Sequence, residues 1–228
     1  MNLSALLNGL DIMGMTGPAD SAMDVTSLCY NSRQCSSNSL FVAISGLKSD
    51  GHDYIDDAIG HGAKVVVCER EVTTPPDITK ICVENGRKAL GRLARTFYGD
   101  PSSSLVAVGV VGTNGKTTIT YILESIFAAA GFRCGVLGTV NYRYPGIRMA
   151  APNTTPESMD LQRILRDMAE SGVTHLVAEV SSHAIDLRRV DDCRFDLGIF
   201  TNLTQDHLDY HKTMENYYQA KKRFFSEV

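Results

Sequence analysis

The sequence contains no Cys-x-x-Cys pair. All six cysteines are scattered along the chain, so neither a disulfide framework nor a zinc site is expected, and their use fits a reducing cytoplasm. Cys68, Cys82 and Cys134 fall in apolar, strand-like runs, where cysteine usually serves as a small core residue.

Three other signals are missing. No apolar run is long enough to span a bilayer. The first residues carry leucines at helical spacing but no basic leader, which predicts a short amphipathic helix rather than a signal peptide. The net charge of −4 argues against a general nucleic-acid surface or a polybasic membrane face. We therefore expect no nucleic-acid or membrane partner, and we expect a monomer.

The length of 228 residues gives room for about two domains, and 43% hydrophobic and 21% charged residues are typical of a soluble globular chain. We predict an α/β protein with a small α/β domain over residues 1–99. A P-loop domain with a mostly parallel sheet follows over residues 100–228. The last helical segment, 213–228, ends without a glycine or proline stop, so we expect a truncated domain and a chain that continues.

In the first domain, strand-like runs occur at 23–28, 40–44, 63–69 and 80–84. Residues 54–61 suggest a helix that Gly62 ends, and Asn85 is placed to cap a second helix that ends at Gly99. Most polar residues of this domain lie in the loops 30–33 and 46–52. Taken alone, these loops are most simply interpreted as surface turns.

In the second domain, the strand-like runs 105–111, 134–140, 173–180 and 195–201 alternate with helices. One helix is predicted over 117–130, and another opens at Thr155 with Pro156 in its first turn. This alternation predicts a parallel sheet with right-handed crossovers, whose strand carboxyl ends gather the ligands.

The strongest motif is the segment Gly109-Val-Val-Gly-Thr-Asn-Gly-Lys-Thr-Thr118. A strand, a glycine-rich loop and a helix start in this order are typical of a phosphate-binding loop. Lys116 supplies a cation and Thr117 a hydroxyl for Mg²⁺. The loop is a variant, because Val110 occupies the position of the usual first glycine. The simpler alternative is a glycine turn with a solvated lysine.

Two other stretches could complete such a site. Glu179 ends an apolar strand, where a carboxylate next to a P-loop commonly holds Mg²⁺, although a solvated glutamate is the simpler interpretation. The loop 201–211 contains Asp206, His207, Asp209 and His211. Because Mg²⁺ prefers oxygen ligands, residue chemistry favours one of the aspartates as the ligand and a histidine as a hydrogen-bond partner.

Lys221 lies within an apolar stripe of the last helix that also contains Met214, Tyr217, Tyr218, Phe224 and Phe225. Burying an ammonium group there is costly unless it is paired or neutralised. The commoner outcome is a lysine whose amine reaches the rim of the apolar surface. The alternative is an amine that is neutral often enough to react with carbon dioxide and become a carbamate facing a metal.

These residues resemble the Mur ligases, the ATP-dependent amide ligases of peptidoglycan synthesis, over nearly the whole chain. The motifs occur in family order: Gly112-Thr-Asn-Gly-Lys-Thr-Thr118, Asn153-Thr-Thr-Pro-Glu157, Glu179-Val-Ser-Ser-His183, Asn202-Leu-Thr-Gln-Asp-His-Leu-Asp-Tyr-His211 and Ala220-Lys221. The variant loop is the family's own form. The first-domain run Asp50-Gly-His-Asp-Tyr54 resembles the members that add the third amino acid of the stem peptide.

The resemblance implies a reaction. ATP phosphorylates the D-glutamate carboxylate of UDP-N-acetylmuramoyl-L-Ala-D-Glu, the amine of an incoming amino acid attacks the acyl phosphate, and phosphate leaves as the amide forms. Diaminopimelate is favoured over lysine as that amino acid. ATP and Mg²⁺ are the implied cofactors, and Lys116 and Lys221 are the implied catalytic residues.

The resemblance also assigns binding residues position by position. Those for ATP are Gly112, Thr113, Asn114, Gly115, Lys116, Thr117 and Thr118. Those for Mg²⁺ are Thr117, Glu179 and His207, so the family favours the histidine over the aspartates, and Lys221 as a carbamate helps to hold a second Mg²⁺. Those for the muramoyl-dipeptide are Asn153, Thr154, Thr155, Ser181 and Arg189. Those for the UDP end are Tyr30, Ser32, Leu47, Lys48 and Ser49.

Two departures limit the assignment. Asn31 stands where the family more often has aspartate, and the family's C-terminal domain does not occur within these residues. We therefore expect this stretch alone not to complete the ligation. A folylpolyglutamate synthase-like ligase and a non-catalytic P-loop switch stay as alternatives.

Overall fold

The computed structural model describes residues 1–18, 23–46 and 49–228. The chain divides into two compact units, Met1–Phe97 and Tyr98–Val228. This division falls two residues before the boundary expected from the sequence. Each unit is built on its own sheet.

The first unit has a five-stranded sheet in the order β1-β5-β4-β3-β2. Its strands are β1 (Ile12–Thr16), β2 (Ser27–Cys29), β3 (Ser39–Val42), β4 (Ala63–Cys68) and β5 (Thr79–Val83). Strands β2 to β5 pair in parallel, and β1 is antiparallel to β5. The edge strand β1 was not predicted, because a glycine interrupts its short apolar run.

The helices of the first unit are α1 (Leu3–Leu6), α2 (Ile55–Gly60) and α3 (Gly86–Phe97), and 3₁₀ turns occupy Ser32–Gln34 and Gly51–Tyr54. Asn85 caps α3 as predicted, because its Oδ1 accepts a hydrogen bond of 2.9 Å from the Lys88 amide. Phe41, Val66 and Ile78 belong to the buried core under the sheet. The two 3₁₀ turns place polar residues beside this core.

The second unit has a six-stranded sheet in the order β11-β6-β10-β7-β8-β9. Its strands are β6 (Val106–Val111), β7 (Cys134–Leu137), β8 (Tyr142–Tyr144), β9 (Ile147–Met149), β10 (His175–Glu179) and β11 (Leu197–Phe200). Strands β11, β6, β10 and β7 are parallel, which confirms the predicted sheet. The hairpin β8–β9 adds two antiparallel strands that were not predicted.

The helices of this unit are α4 (Lys116–Ala129), α5 (Ser158–Glu170), α6 (Ser182–Asp186), α7 (Leu208–His211) and α8 (Met214–Ser226), and a 3₁₀ turn spans Pro101–Ser104. Leu161, Leu165, Met168 and Leu176 form part of the core between α5 and the sheet. None of the helices in the described ranges combines the length and apolarity needed to cross a membrane.

The predicted start of α5 is wrong. The helix begins at Ser158 with Glu157 as its cap, whose carboxylate accepts from the Ser158 amide. The Thr155 hydroxyl is used elsewhere, because it donates to the carbonyl oxygen of Glu179 at 2.8 Å. The Thr155 hydroxyl is therefore not available to cap α5.

The predicted apolar stripe of α8 is only partly correct. Tyr217, Lys221 and Phe224 are buried, whereas Met214, Tyr218 and Phe225 are exposed. Lys221 is only 2% exposed, so its amine does not reach the rim of the apolar surface.

Candidate active site

The glycine-rich loop runs from the end of β6 into α4. Gly112 has a φ of +152° and Gly115 a φ of +85°, which are values that side chains rarely allow. A Cβ on Gly112 would lie 1.8 Å from Thr201 Oγ1, so only glycine fits at that position. Gly115 stands as the cap of α4, and the first amides of this helix therefore face the loop.

The segment after β11 fixes the loop from the side. Asn202 accepts from the Asn114 amide at 3.0 Å and donates to the Asn114 carbonyl at 3.2 Å. Thr201 Oγ1 donates to the same carbonyl at 2.7 Å. Thr113 Oγ1 accepts from the Thr204 amide at 3.1 Å. These hydrogen bonds fix the shape of the loop.

Glu179 ends β10 beside this loop and is 1% exposed, which excludes the solvated glutamate. Its Oε1 accepts from Thr117 Oγ1 at 2.9 Å and from the Thr139 amide at 3.1 Å. Its Oε2 accepts from Thr139 Oγ1 at 3.0 Å. Hydrogen bonds to a carboxylate are stronger than neutral ones, so three of them compensate for its burial.

Lys116 and Lys221 both turn toward the loop backbone. Lys116 Nζ donates to the carbonyl oxygens of Gly112 and Thr113, at 2.9 Å each. Lys221 Nζ donates to the Gly112 carbonyl at 2.8 Å and lies 4.3 Å from the centre of the Tyr217 ring. Burial, followed by the nearby charge of Lys116, lowers the pKa of Lys221 to about 7. Burial also lowers the pKa of Lys116.

The loop 201–211, which contains His207 and His211, lies beside the glycine-rich loop. His207 adopts a left-handed backbone conformation with a φ of +52°, and its ring lies 4.9 Å from that of His183. Burial, followed by the charge of His207, lowers the pKa of His183. Asp206 and His207 face the loop cavity described below, whereas Asp209 is not part of its lining.

One cavity of about 350 Å³ collects most of these groups. Its lining comprises Thr113, Asn114, Gly115, Lys116, Thr117, Thr118, Thr139, Thr154, Glu179, Ser181, Asp206 and His207. The cavity therefore brings together predicted residues from four places, at the carboxyl edge of the parallel strands. These are the glycine-rich loop, the end of β10, the loop 201–211 and the segment predicted to bind the dipeptide.

The remaining predicted dipeptide residues surround Thr155. The Ser181 amide donates to Thr155 Oγ1 at 3.1 Å, and Arg189 Nη1 donates to the Thr155 carbonyl at 3.2 Å. Arg189 Nε also lies 3.2 Å from a carboxylate oxygen of Glu157. The carbonyl of Asn153 accepts from the hydroxyl of Tyr142. These bonds position the segment against the strand tip.

The first unit has a separate cavity of about 370 Å³. Three residues that were predicted to contact the UDP end, Tyr30, Ser32 and Ser49, line this cavity. Asn31, Arg33, Phe41, Ile44, Gly46, Gly51 and Tyr54 complete the lining. Leu47 and Lys48, two further predicted contacts, lie outside the described residues.

Comparison with known proteins decides the family. Residues 110–228 match the profile described as Mur ligase middle domain, which is more than half of the chain. Residues 24–98 match the profile described as Mur ligase family, catalytic domain. The chain belongs to the Mur ligase family.

Curated Mur ligases extend this assignment. A protein of Geobacter metallireducens named UDP-N-acetylmuramoyl-L-alanyl-D-glutamate--2,6-diaminopimelate ligase is 49% identical over 91% of this chain and 40% of its own length. A protein of Geobacter sulfurreducens with the same name is 46% identical over 100% of this chain and 44% of its own length. The chain spans less than half the length of these relatives.

Solved Mur ligase structures have the same fold. A structure titled as the diaminopimelate ligase superposes with a TM-score of 0.78 at 29% identity, covering 89% of this chain and 41% of the other. MurF ligase from Thermotoga maritima, solved with ADP, gives a TM-score of 0.59 at 25% identity, covering 89% and 43%.

The donor set of this Mur ligase cavity fits Mg²⁺. The described residues contain no group of three His, Cys, Asp or Glu side chains able to hold a metal alone. Mg²⁺ in nucleotide sites needs only one or two carboxylates, because phosphate oxygens and waters complete its shell. The carboxylate of Glu179 and the hydroxyl of Thr117, already 2.9 Å apart, provide such a partial set.

The sequence interpretation missed Thr139, which lies two residues after the end of β7. This residue donates twice to Glu179 and lies 3.1 Å from Thr154, Oγ1 to Oγ1. A small polar residue at the carboxyl end of a parallel strand is the signal that could have identified it.

Proposed function

We propose that this chain carries the ATP and UDP-sugar sites of an amide ligase acting as a monomer in the cytoplasm. The ligase joins 2,6-diaminopimelate to the D-glutamate carboxylate of UDP-N-acetylmuramoyl-L-Ala-D-Glu. The observation that carries this proposal is the meeting of Lys116, Thr117 and Glu179 on one cavity, with Lys221 bonded to the same loop. The names of the curated relatives support the choice of substrates.

ATP binds along residues 112–118 in this proposal. The amides at the start of α4 and the cation of Lys116 suit its phosphates. Lys116 now donates to two carbonyl oxygens of its own loop, so it exchanges these partners for phosphate oxygens. The ADP found in the related MurF structure supports a nucleotide at this fold.

Thr117, Glu179 and His207 would hold Mg²⁺, and Lys221, once carbamylated, would help to hold a second Mg²⁺. The metal neutralises charge on the transferred phosphoryl group. Carbamylation requires a neutral amine, which attacks carbon dioxide, forms an N–C bond and releases a proton. The lowered pKa of Lys221, about 7, makes this amine largely neutral under mildly alkaline conditions.

Two sets of residues are proposed to bind the two ends of the substrate. Asn153, Thr154, Thr155, Ser181 and Arg189 hold the dipeptide, with the guanidinium of Arg189 as the cation for a carboxylate. Tyr30, Ser32, Leu47, Lys48 and Ser49 hold the UDP end. The positions of Thr154 and Ser181 in the Glu179 cavity support a reacting carboxylate close to the nucleotide.

Product formation by the full-length protein tests the proposal. The protein is supplied with ATP, Mg²⁺, UDP-N-acetylmuramoyl-L-Ala-D-Glu and either diaminopimelate or lysine. The amide product is then identified by its mass with mass spectrometry. We expect product with diaminopimelate, loss of product in Lys116→Met and Lys221→Met, and retained product in Lys222→Met, whose lysine is exposed. Amide formation on a folate substrate instead, or nucleotide binding without any amide, would refute it.

A further inference from the structure

We propose that Thr139 is a positioning residue that holds Glu179 for the metal and links this carboxylate to the dipeptide segment. The inference rests on the proposed function and adds a residue to it. Thr139 contacts both oxygens of Glu179, through its amide at 3.1 Å and its hydroxyl at 3.0 Å. Its hydroxyl also lies 3.1 Å from that of Thr154.

The direction of these bonds follows from the number of protons. A threonine hydroxyl donates one hydrogen, and an ionised carboxylate only accepts. The hydrogen of Thr139 Oγ1 therefore points to Glu179, and Thr154 must be the donor in the bond between the two hydroxyls. Two hydrogen bonds therefore run in the same direction: Thr154 donates to Thr139, and Thr139 donates to Glu179.

Thr139 becomes more important when the metal arrives. Thr117 Oγ1 donates to Glu179 Oε1 in the present arrangement, and it must turn its oxygen toward Mg²⁺ to serve as a ligand. Of the three hydrogen bonds that hold Glu179 in place, the two from Thr139 then remain. The carboxylate keeps its orientation through this one neighbour.

The link to Thr154 makes the two binding events interdependent. A dipeptide that bonds to the Thr154 hydroxyl changes the donor reaching Thr139, and Thr139 in turn orients the metal carboxylate. Coupling between two sites is reciprocal, so the substrate should lower the Mg²⁺ requirement, and Mg²⁺ should tighten the substrate.

Calorimetry of ATP binding to the full-length protein over a range of Mg²⁺ concentrations tests this role. We expect Thr139→Val to raise the Mg²⁺ concentration for half-maximal ATP binding about tenfold, because a hydrogen bond to a charged group is lost. Thr139→Ser keeps the hydroxyl and should stay within about twofold of the wild type. Thr174→Val, at the opposite end of β10, is the matched control and should change nothing.

The coupling gives a second readout. UDP-N-acetylmuramoyl-L-Ala-D-Glu should lower the Mg²⁺ requirement about fivefold in the wild type and in Thr139→Ser, and should leave Thr139→Val unchanged. Thermal melting checks that each variant is folded. Equal Mg²⁺ requirements in Thr139→Val and the wild type overturn the inference, as does a Thr139→Ser variant as weak as Thr139→Val.

Failure of the proposed function gives a different pattern. A wild-type protein that binds ATP with Mg²⁺ but forms no amide overturns the ligase proposal and leaves the Thr139 result intact. A wild-type protein that binds ATP without any need for Mg²⁺ overturns the role of Thr139.

Discussion

Lys116 and Lys221 donate to one acceptor, the carbonyl oxygen of Gly112, at 2.9 and 2.8 Å. These lysines are far apart in sequence, and the loop brings their two amines to one backbone atom. Like charges in a poorly solvated place disfavour each other, which contributes to the lowered pKa of Lys221. The charge of Asp206 offsets part of this repulsion, and a bound phosphate would add further negative charge beside the two amines.

The stability of the second unit should depend on pH through Lys221. The pKa is about 7 in the folded chain and 10.5 for an unperturbed lysine. Between these values the unfolded chain holds a proton that the folded chain has lost, so stability rises with pH. The burial penalty is complete below pH 7 and disappears toward pH 10.5. Lys221→Met should therefore stabilise the unit by a few kcal/mol at neutral pH and by less at pH 9.

Urea unfolding at several pH values, in buffer depleted of carbon dioxide, measures this difference. Lys222→Met is the control, because Lys222 is exposed on the same helix and its replacement should have little effect at any pH. A wild type that loses stability relative to Lys221→Met as pH rises would contradict the assignment.

Asn202 should hold the glycine-rich loop in the conformation that binds ATP. Its side chain accepts from the Asn114 amide and donates to the Asn114 carbonyl. Asn202→Ala removes both bonds and should weaken ATP binding roughly thirtyfold, since each of the two bonds contributes about 1 kcal/mol. Asn202→Asp keeps an acceptor but brings a negative charge beside the phosphates, so it should weaken binding further. Asn216→Asp, at an exposed position of α8, is a control for the charge change. Equal binding by Asn202→Ala and the wild type would show that the loop needs no such support.

Much of this site could be predicted from the sequence because its parts are local. A strand, two glycines and Lys116 specify a loop and a helix start without help from the rest of the chain. The position of Glu179 follows from the same logic, since the carboxyl ends of parallel strands share one edge. Lys221 was recognised as unusual because a charge stood among apolar neighbours.

Two of the missed features, those at Thr155 and Thr139, depend on contacts between distant residues. Thr155 looked like a helix cap until the fold placed its hydroxyl against the Glu179 carbonyl. The hairpin of Tyr142–Tyr144 and Ile147–Met149 has short strands, although the Pro145-Gly146 pair between them is a recognisable turn signal. Thr139 belongs to none of the motifs listed above, and only the fold shows that it donates to Glu179.

Gly138 should be needed to leave room for the metal carboxylate. A Cβ added there would lie 2.4 Å from Glu179 Oε1 and 3.1 Å from its Cδ. Three hydrogen bonds hold that carboxylate, so it cannot move without losing some of them. Gly138→Ala should therefore raise the Mg²⁺ requirement for ATP binding about tenfold.

Calorimetric titration over a range of Mg²⁺ concentrations checks the effect of Gly138→Ala. Gly14→Ala is the matched control, because nothing lies within 4 Å of a Cβ added at Gly14. An unchanged Mg²⁺ requirement in Gly138→Ala would mean that the carboxylate tolerates displacement.

Asp50 should stabilise the first unit at neutral pH and lose that effect in acid. Its Oδ1 accepts from the amide of His52 at 3.0 Å and from Nδ1 of the same residue at 2.6 Å, and Arg70 lies 3.1 Å from Oδ2. The His52 amide, then the His52 ring, lower the pKa of Asp50. His52 Nε2 accepts from the Glu69 amide at 3.0 Å, so the ring proton lies on Nδ1 and points to Asp50.

The sign of the pH effect follows from the lowered pKa of Asp50. The stabilisation is present above the pKa of the unfolded carboxyl and is lost as pH falls through the lower pKa of the folded one. Asp50→Asn should destabilise the unit by about 1 to 3 kcal/mol at pH 7 and by much less near pH 3. Asp11→Asn, which breaks an exposed ion pair with Lys88, should cost little at either pH. Urea unfolding monitored at both pH values gives the comparison, and an Asp50→Asn penalty that persists unchanged in acid would show that its charge is not the cause.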